Sequence, residues 1–363
     1  MRTSPLPLLS NVATYQANTF NYAPAPDVRP TRAEWIDSFR RTTSEFRSRV
    51  EADVAAIPDA AQRCAAAAEF VDRFTAELEA LEAPASDAGD PLCCLKLCAL
   101  RDRLLREAGF PDCFKAVKAA ENAKALTLLP ALLAELDGVS DPQQRLQALI
   151  EGVFAGNIFD LGAANTAKMF SDGGLDFHST RAKLQARPWT VDNFDALAAR
   201  WAGPPHARAV MFVDNSGSDV VLGMLPLCRE LLKRGTAVLL AANSVPSIND
   251  VTAAELAPIC AAIAAFDPVF AAALAEGRLR VLATGSDLPV IDLAQLSPYF
   301  CEQCEGCDLV ILEGMGRGIE TNLTAVFKCD ALCLGMAKHW EVCLALGGGP
   351  LFGCVCRFQP APQ

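Results

Sequence analysis

The chain has 363 residues, 52% of them hydrophobic and 21% charged, a composition that excludes intrinsic disorder and fibrous structure and is long enough for one large core or two smaller ones. Its net charge of −11 at pH 7, with no block of five like charges, argues against nucleic acid as a partner, so any phosphate-bearing ligand has to be met by a metal or a few placed donors. No run of 18 apolar residues occurs, and Leu6-Pro7-Leu8-Leu9 behind Arg2 is too short for a signal segment, which predicts a cytoplasmic protein without a membrane partner.

Apolar positions recur at three and four over 32–56 and 60–83, and further helical runs cover 91–108, 112–136 and 141–155, punctuated by Pro111, Pro130 and Pro142. Strand-like alternation is missing from this half. It predicts a helical-bundle domain over 1–205, ending in a Gly-, Asp- and His-rich loop at 171–180 and the shift of composition at Trp201-Ala202-Gly203-Pro204-Pro205. After that the period changes. Short apolar or β-rich runs at 209–213, 237–242, 279–283, 308–312, 331–336 and 351–358 alternate with helical segments near 219–234, 251–276, 290–305 and 338–346. Such alternation predicts an α/β domain over 206–363 with a largely parallel sheet and helices on both faces. Ligands of such sheets sit beyond the carboxyl ends of the strands, so the site is sought there.

The first run is followed by Asp214-Asn215-Ser216-Gly217, the second by Asn243-Ser244 with Asn249-Asp250 opening the next helix, the third by Thr284-Gly285-Ser286-Asp287. Glu313-Gly314-Met315-Gly316-Arg317 follows the fourth and Lys338 the fifth. Asp214, Asn215 and Asp250 offer hard oxygen ligands of the kind Mg²⁺ or Mn²⁺ takes, while Arg317 and Lys338 offer cations for an anionic group. Each residue also has a plainer reading: Asp250, ahead of Val251-Thr252, suits a helix N-cap, and Lys338 suits a solvated lysine opening a helix. Agreement among successive strand ends favours a metal-and-phosphate site.

Other motifs are missing. The first strand-to-helix turn lacks G-x-G-x-x-G, and neither G-x-x-x-x-G-K-[ST] nor G-x-S-x-G occurs. His178, His206 and His339 share no ligand spacing. Cys301-x2-Cys304-x2-Cys307 has metal-like spacing but no evident fourth partner, and among the 15 cysteines it reads as buried reduced thiols.

Phe212-Val213-Asp214-Asn215-Ser216-Gly217, then Asn243-Ser244-Val245-Pro246-Ser247-Ile248-Asn249-Asp250-Val251-Thr252, then Glu313-Gly314-Met315-Gly316-Arg317 and Lys338 resemble the metal-dependent damage-control phosphatases. The likeness is greatest to the plant single-domain branch and to the C-terminal domain of type-four pantothenate kinases. It extends to Pro7-Leu8-Leu9, Thr14 to Thr19 and Gly156-Asn157-Ile158-Phe159-Asp160. The resemblance implies a helical domain on a Rossmann-like α/β domain and a divalent metal (Mn, Co, Ni or Mg) at Asp214, Asn215 and Asp250. It also implies hydrolysis of a small phosphorylated metabolite, 4′-phosphopantetheine or its damaged forms, or a sugar phosphate.

In that reading a metal-activated water attacks, Lys338 and Asp214 and Asp250 carry the chemistry, and Glu313, Gly314, Met315, Gly316, Arg317, Ser216, Asn243 and Ser244 hold the phosphate side. Asn157 and Asp160 line the pocket where the helical half closes over the sheet, with Asp160 a candidate for orienting water or substrate hydroxyls. Two other readings stay open: an S-adenosylmethionine-dependent methyltransferase, which suits an acidic strand end, and a non-catalytic phosphometabolite-binding protein. The sequence sets no oligomeric state.

Overall fold

The computed structural model describes residues 2–82, 91–158 and 177–362. The strands are β1 (Val191–Asp192), β2 (Arg208–Phe212), β3 (Ala237–Ala242), β4 (Leu279–Ala283), β5 (Leu309–Glu313), β6 (Asp330–Ala337) and β7 (Gly353–Gln359). They form one sheet in the order β1-β7-β6-β5-β2-β3-β4. Neighbours from β6 through β4 are parallel, β7 runs antiparallel to β6, and β1 is parallel to β7. The chain winds outward from β2 through β3 to β4, then crosses to the other side of β2 to begin β5. That reversal places the topological switch point between β2 and β5, where an open α/β sheet leaves a crevice for ligand.

β2, β5 and β6 are buried along nearly their whole length, which is why they read as continuous apolar runs. Period 2 still sorts their side chains. Val210, Phe212, Val310 and Leu312 pack in one core with Trp35, Phe70, Leu97 and Phe110 of the early helices. Ala209, Met211, Leu309 and Ile311 pack in the other with Leu129, Phe154, Phe194 and Leu225. Residues from both sides of 205/206 therefore contribute to each core.

Several helical expectations change in detail. The 32–56 run is two helices, Arg32–Arg40 and Thr43–Ala52. The 251–276 run is likewise two, Ala253–Ala264 and Pro268–Ala275, because Asp267 accepts from the Phe270 N–H as an N-cap and Pro268 opens a new first turn. In 290–305 only Pro298–Cys304 is helical. Backbone bonds explain this: Leu6 N–H donates to the Leu293 carbonyl at 2.7 Å and Ser4 N–H to the Leu296 carbonyl at 2.8 Å, so the N-terminal segment pairs with 293–296 and overrides a helix-like pattern.

Cys301, Cys304 and Cys307 lie in the first core. Burial pushes the Cys304 thiol well up, and Cys301 and Cys307 to about 11, which keeps them protonated near neutral pH, as structural thiols are. Among the described residues no helix is long and apolar enough to cross a membrane.

Candidate active site

β2 and β5 deliver their C-terminal residues side by side. Leaving β2, Asp214 and Asn215 turn against the loop after β3: Val251 N–H donates to the Asp214 carbonyl at 2.9 Å, Ser216 N–H to the Asn249 carbonyl at 2.9 Å, and Asn215 bridges to Asp250. Ile248 in that loop holds a positive φ of 39°, a conformation a β-branched side chain rarely adopts, beside the site. Each of the two strands then feeds a π-helical turn, Asp219–Met224 after β2 and Met315–Glu320 after β5.

The carboxylates converge. Single oxygens of Asp214, Asp219 and Glu313 lie within 4.8 Å of one another, and all three residues are buried. Glu313 accepts from the Asp214 N–H at 3.0 Å and from Asn157 Nδ2 at 2.9 Å, and Asp219 accepts from Asn215 Nδ2 at 2.8 Å and from Asn157 Nδ2 at 3.1 Å. Gly314 is required here: with φ at 96°, a Cβ would fall inside the Asp214 carboxylate. Desolvation raises the Asp214 carboxyl well above the usual carboxylate range, with Arg317 opposing and Asp250 and Asp219 adding to the rise. Glu313 is raised too, by burial and then by Asp219 and Asp214.

The cations face this group. The Arg317 guanidinium is ion-paired to both Asp214 and Asp250 and donates to Asn243 Oδ1 at 3.1 Å. Lys338 is buried, its Nζ donating to the Asn157 carbonyl at 3.0 Å and its N–H meeting Met315 Sδ at 3.2 Å. A pocket of about 720 Å³, counted out into the solvent at its mouth, opens over Asp214, Asn215, Asp250, Gly316 and Lys338. Its opposite wall is helical, with Phe39, Phe46, Cys94, Cys98 and Arg101, so the first hundred residues complete the pocket.

The structure thus brings together Asp214, Asn215, Asp250, Asn157, Asn243, Glu313, Gly314, Met315, Gly316, Arg317 and Lys338. Some positions differ from expectation. Asn157 is saturated by Asp219, Glu313 and the Met336 N–H, so it braces carboxylates and does not face ligand freely. Asn243 spends Nδ2 on Asp250 and on the Leu288 carbonyl. Ser244 is exposed, and its Oγ accepts from the Gly285 N–H at 2.7 Å, which ties one loop to another outside the carboxylate cluster. Glu313, expected on the phosphate side, faces Asp214 and Asp219 among the acids. Asp160 lies outside the described residues. Sequence reading missed Asp219 and Glu320; Asp219 looks like an ordinary first-turn acid, and only its spacing of five from Asp214 at a strand end hinted otherwise.

A family model described as the damage-control phosphatase ARMT1-like domain matches residues 37–350, and the chain belongs to that family. It is a phosphatase of the metabolite damage-control class. It is similar to a damage-control phosphatase of Arabidopsis thaliana, 43% identical over 359 residues covering 98% of this chain and 95% of the relative. A pantothenate kinase 2 of Arabidopsis thaliana is 38% identical over 384 residues, 98% of this chain and 41% of the relative. A 4′-phosphopantetheine phosphatase of Mus musculus is 33% identical over 404 residues, 98% of this chain and 48% of the relative. The chain spans less than half the length of these last two. A solved DUF89 family protein of Pyrococcus horikoshii superposes with a TM-score of 0.59 at 17% identity, covering 88% of this chain and 96% of that one, and shows the fold. The methyltransferase and non-catalytic readings are set aside by this family membership.

Proposed function

We propose that the chain is a divalent-metal-dependent phosphomonoesterase acting on a small phosphorylated metabolite, with 4′-phosphopantetheine or a damaged form of it favoured over a sugar phosphate. The observation that carries this reading is the convergence of Asp214, Asp219 and Glu313, with Asp250 beside them, at the switch point under an open pocket. The donor set fits a hard cation: carboxylate and amide oxygens, against which only Arg317 and Lys338 are set among the described basic groups of the cluster, and Ser216 Oγ is buried nearby with no hydrogen-bond partner. Asp214, Asn215 and Asp250, joined by Asp219 and Glu313, would hold the metal. When bound, such a metal supplies Lewis-acid stabilisation of a phosphoryl oxygen and a water of lowered pKa.

The chain's own residues do the rest. Lys338 sets a buried cation against the phosphate dianion, and the Gly314 to Arg317 turn presents the face on which that dianion rests. Asp214 is held by Arg317 and by Asn215 Nδ2 at 3.1 Å, which commits its oxygens and favours water over this carboxylate as nucleophile. The substrate preference is supported by the similarity to the 4′-phosphopantetheine phosphatase of Mus musculus. The test is phosphate release from phenyl phosphate, 4′-phosphopantetheine and fructose 1-phosphate by exhaustively chelated protein, then with Mn²⁺, Co²⁺, Ni²⁺ or Mg²⁺ restored. Turnover should vanish on chelation and return with metal, fastest on 4′-phosphopantetheine. Full activity after chelation overturns the metal role, and faster sugar-phosphate turnover overturns the preference.

A further inference from the structure

Cys94, Cys98 and Arg101 share one face of the helix Cys94–Glu107, and that face lines the pocket. Arg101 is only 6% exposed. Its Nε donates to Asp102 Oδ1 at 2.9 Å, and the other Asp102 oxygen takes the hydroxyl of Ser247, in the same loop that carries Asp250. Its guanidinium lies 5.0 Å from the centroid of the Phe46 ring, which also lines the pocket. Anchored at one edge and one face, the group still has Nη2 buried with no hydrogen-bond partner. A buried donor left unsatisfied is destabilising, and an acceptor oxygen brought by a ligand removes that cost.

We propose that Arg101 is a specificity-determining residue that receives an acceptor oxygen, a carboxylate or an amide carbonyl, on the alcohol portion of the phosphomonoester. This rests on the phosphatase reading above. Arg101 comes from the helical wall, whereas the phosphate side is built by strand ends. Between them the pocket offers Phe39, Phe46, Pro289 and Val290, surfaces that suit an aliphatic spacer. Asp102 offsets the charge of Arg101, so the guanidinium offers directed donors more than net charge, and a neutral carbonyl qualifies alongside a carboxylate.

The probes are butyl phosphate, 4-hydroxybutanoate phosphate and the corresponding amide, which share a chain length and differ only in the acceptor. Wild type is expected to favour one of the acceptor-bearing esters by about tenfold or more in kcat/KM, the scale of one charge-assisted hydrogen bond; the carboxylate and amide arms tell which. Arg101→Lys keeps a charge beside Asp102, and the double variant Arg101→Met/Asp102→Asn removes the pair together; in both the preference should fall to within about threefold. A preference that persists in both variants, with all three esters declining alike, overturns the assignment, as does a wild type with no preference. Equilibrium binding of the three esters to chelated protein keeps the two readings apart. Tighter binding of an acceptor-bearing ester, lost in both variants, with no hydrolysis of any ester after metal is restored, sustains Arg101 and sinks the phosphatase reading. Hydrolysis without discrimination, in rate or in binding, sinks Arg101 alone.

Discussion

Lys338 shows how much a residue's position decides. A lysine is rarely buried without a partner, yet this one is 2% exposed, held by the Asn157 carbonyl and close enough to Asp214 and Glu313 that its charge opposes part of the rise burial imposes on both carboxyls. Lys338→Met should cut kcat/KM by about two to three decades, the loss seen when one preorganised transition-state donor is removed, while calorimetric metal affinity stays near wild type because no ligand has gone. Near-normal kcat/KM would remove Lys338 from the chemistry. Glu320 offers a test of stability. Burial raises its carboxyl to about 7 from 4.5, against the hydrogen bonds of Tyr22 and Cys94 and the charge of Lys338. The folded state thus holds a proton that the unfolded chain gives up first, so between about pH 4.5 and 7 stability falls as pH rises. Glu320→Gln keeps an acceptor for the Tyr22 hydroxyl, which donates at 3.0 Å, and removes the titration. Relative to wild type it should gain on the order of 2–3 kcal/mol at pH 8 and almost nothing below pH 4.5, measured by denaturant unfolding of metal-free protein. A gain that is the same at both pH values contradicts the assignment. At this scale Asp214, Glu313 and Lys338 were legible because each ends an apolar run, and Asp250 because it stands in the loop that joins the second such run to the next helix. Asp219 and Arg101 were not, since an acid in a first turn and an arginine on an amphipathic helix are ordinary in sequence and acquire meaning only from what lies across the pocket.

Among the elements, β2 to β7 were readable within about two residues, and β2, β3, β5 and β6 most directly, because a strand buried on both faces leaves a continuous apolar signature. β1 was not, since Val191–Asp192 is two residues held by pairing with β7. Segment 290–297 was misread because its partner lies near residue 4, a contact that local periodicity cannot carry. The helix Pro142–Ile158 and the π-helical turn Asp219–Met224 hide a further feature. At Gly156 a Cβ would stand 2.9 Å from both Asp219 Cα and the Ser218 carbonyl, and at Gly223 one would stand 3.1 Å from Val153 Cα. Two glycines let the helix and the turn approach backbone to backbone, which brings Asn157 to Asp219 and Glu313. Gly156→Ala should cost about 1–3 kcal/mol by overpacking and lower kcat more than tenfold, because Asn157 is displaced with the helix. Unfolding midpoints and kinetics measured together check this; a variant of normal stability and kcat would show that the close approach is dispensable.

Across the whole molecule, the two cores draw on both halves of the chain, and the pocket does the same: strand ends supply the charged floor and early helices the opposite wall. A protein of net charge −11 that gathers further carboxylates at a sheet's switch point concentrates negative charge where an anionic substrate has to bind. Arg317 is ion-paired within that cluster and Lys338 lies beside it, which offsets part of the charge; in the proposed reading a divalent cation would offset the remainder. The most direct test is a calorimetric titration of Mn²⁺ into chelated protein, wild type beside Asp214→Asn and Glu313→Gln, with phosphate release followed on the same samples. Wild type should bind Mn²⁺ saturably with turnover rising in step with occupancy, and each variant should bind about tenfold or more weakly while remaining folded. Undiminished binding in both variants, or turnover that ignores occupancy, would contradict a metal site built on these carboxylates.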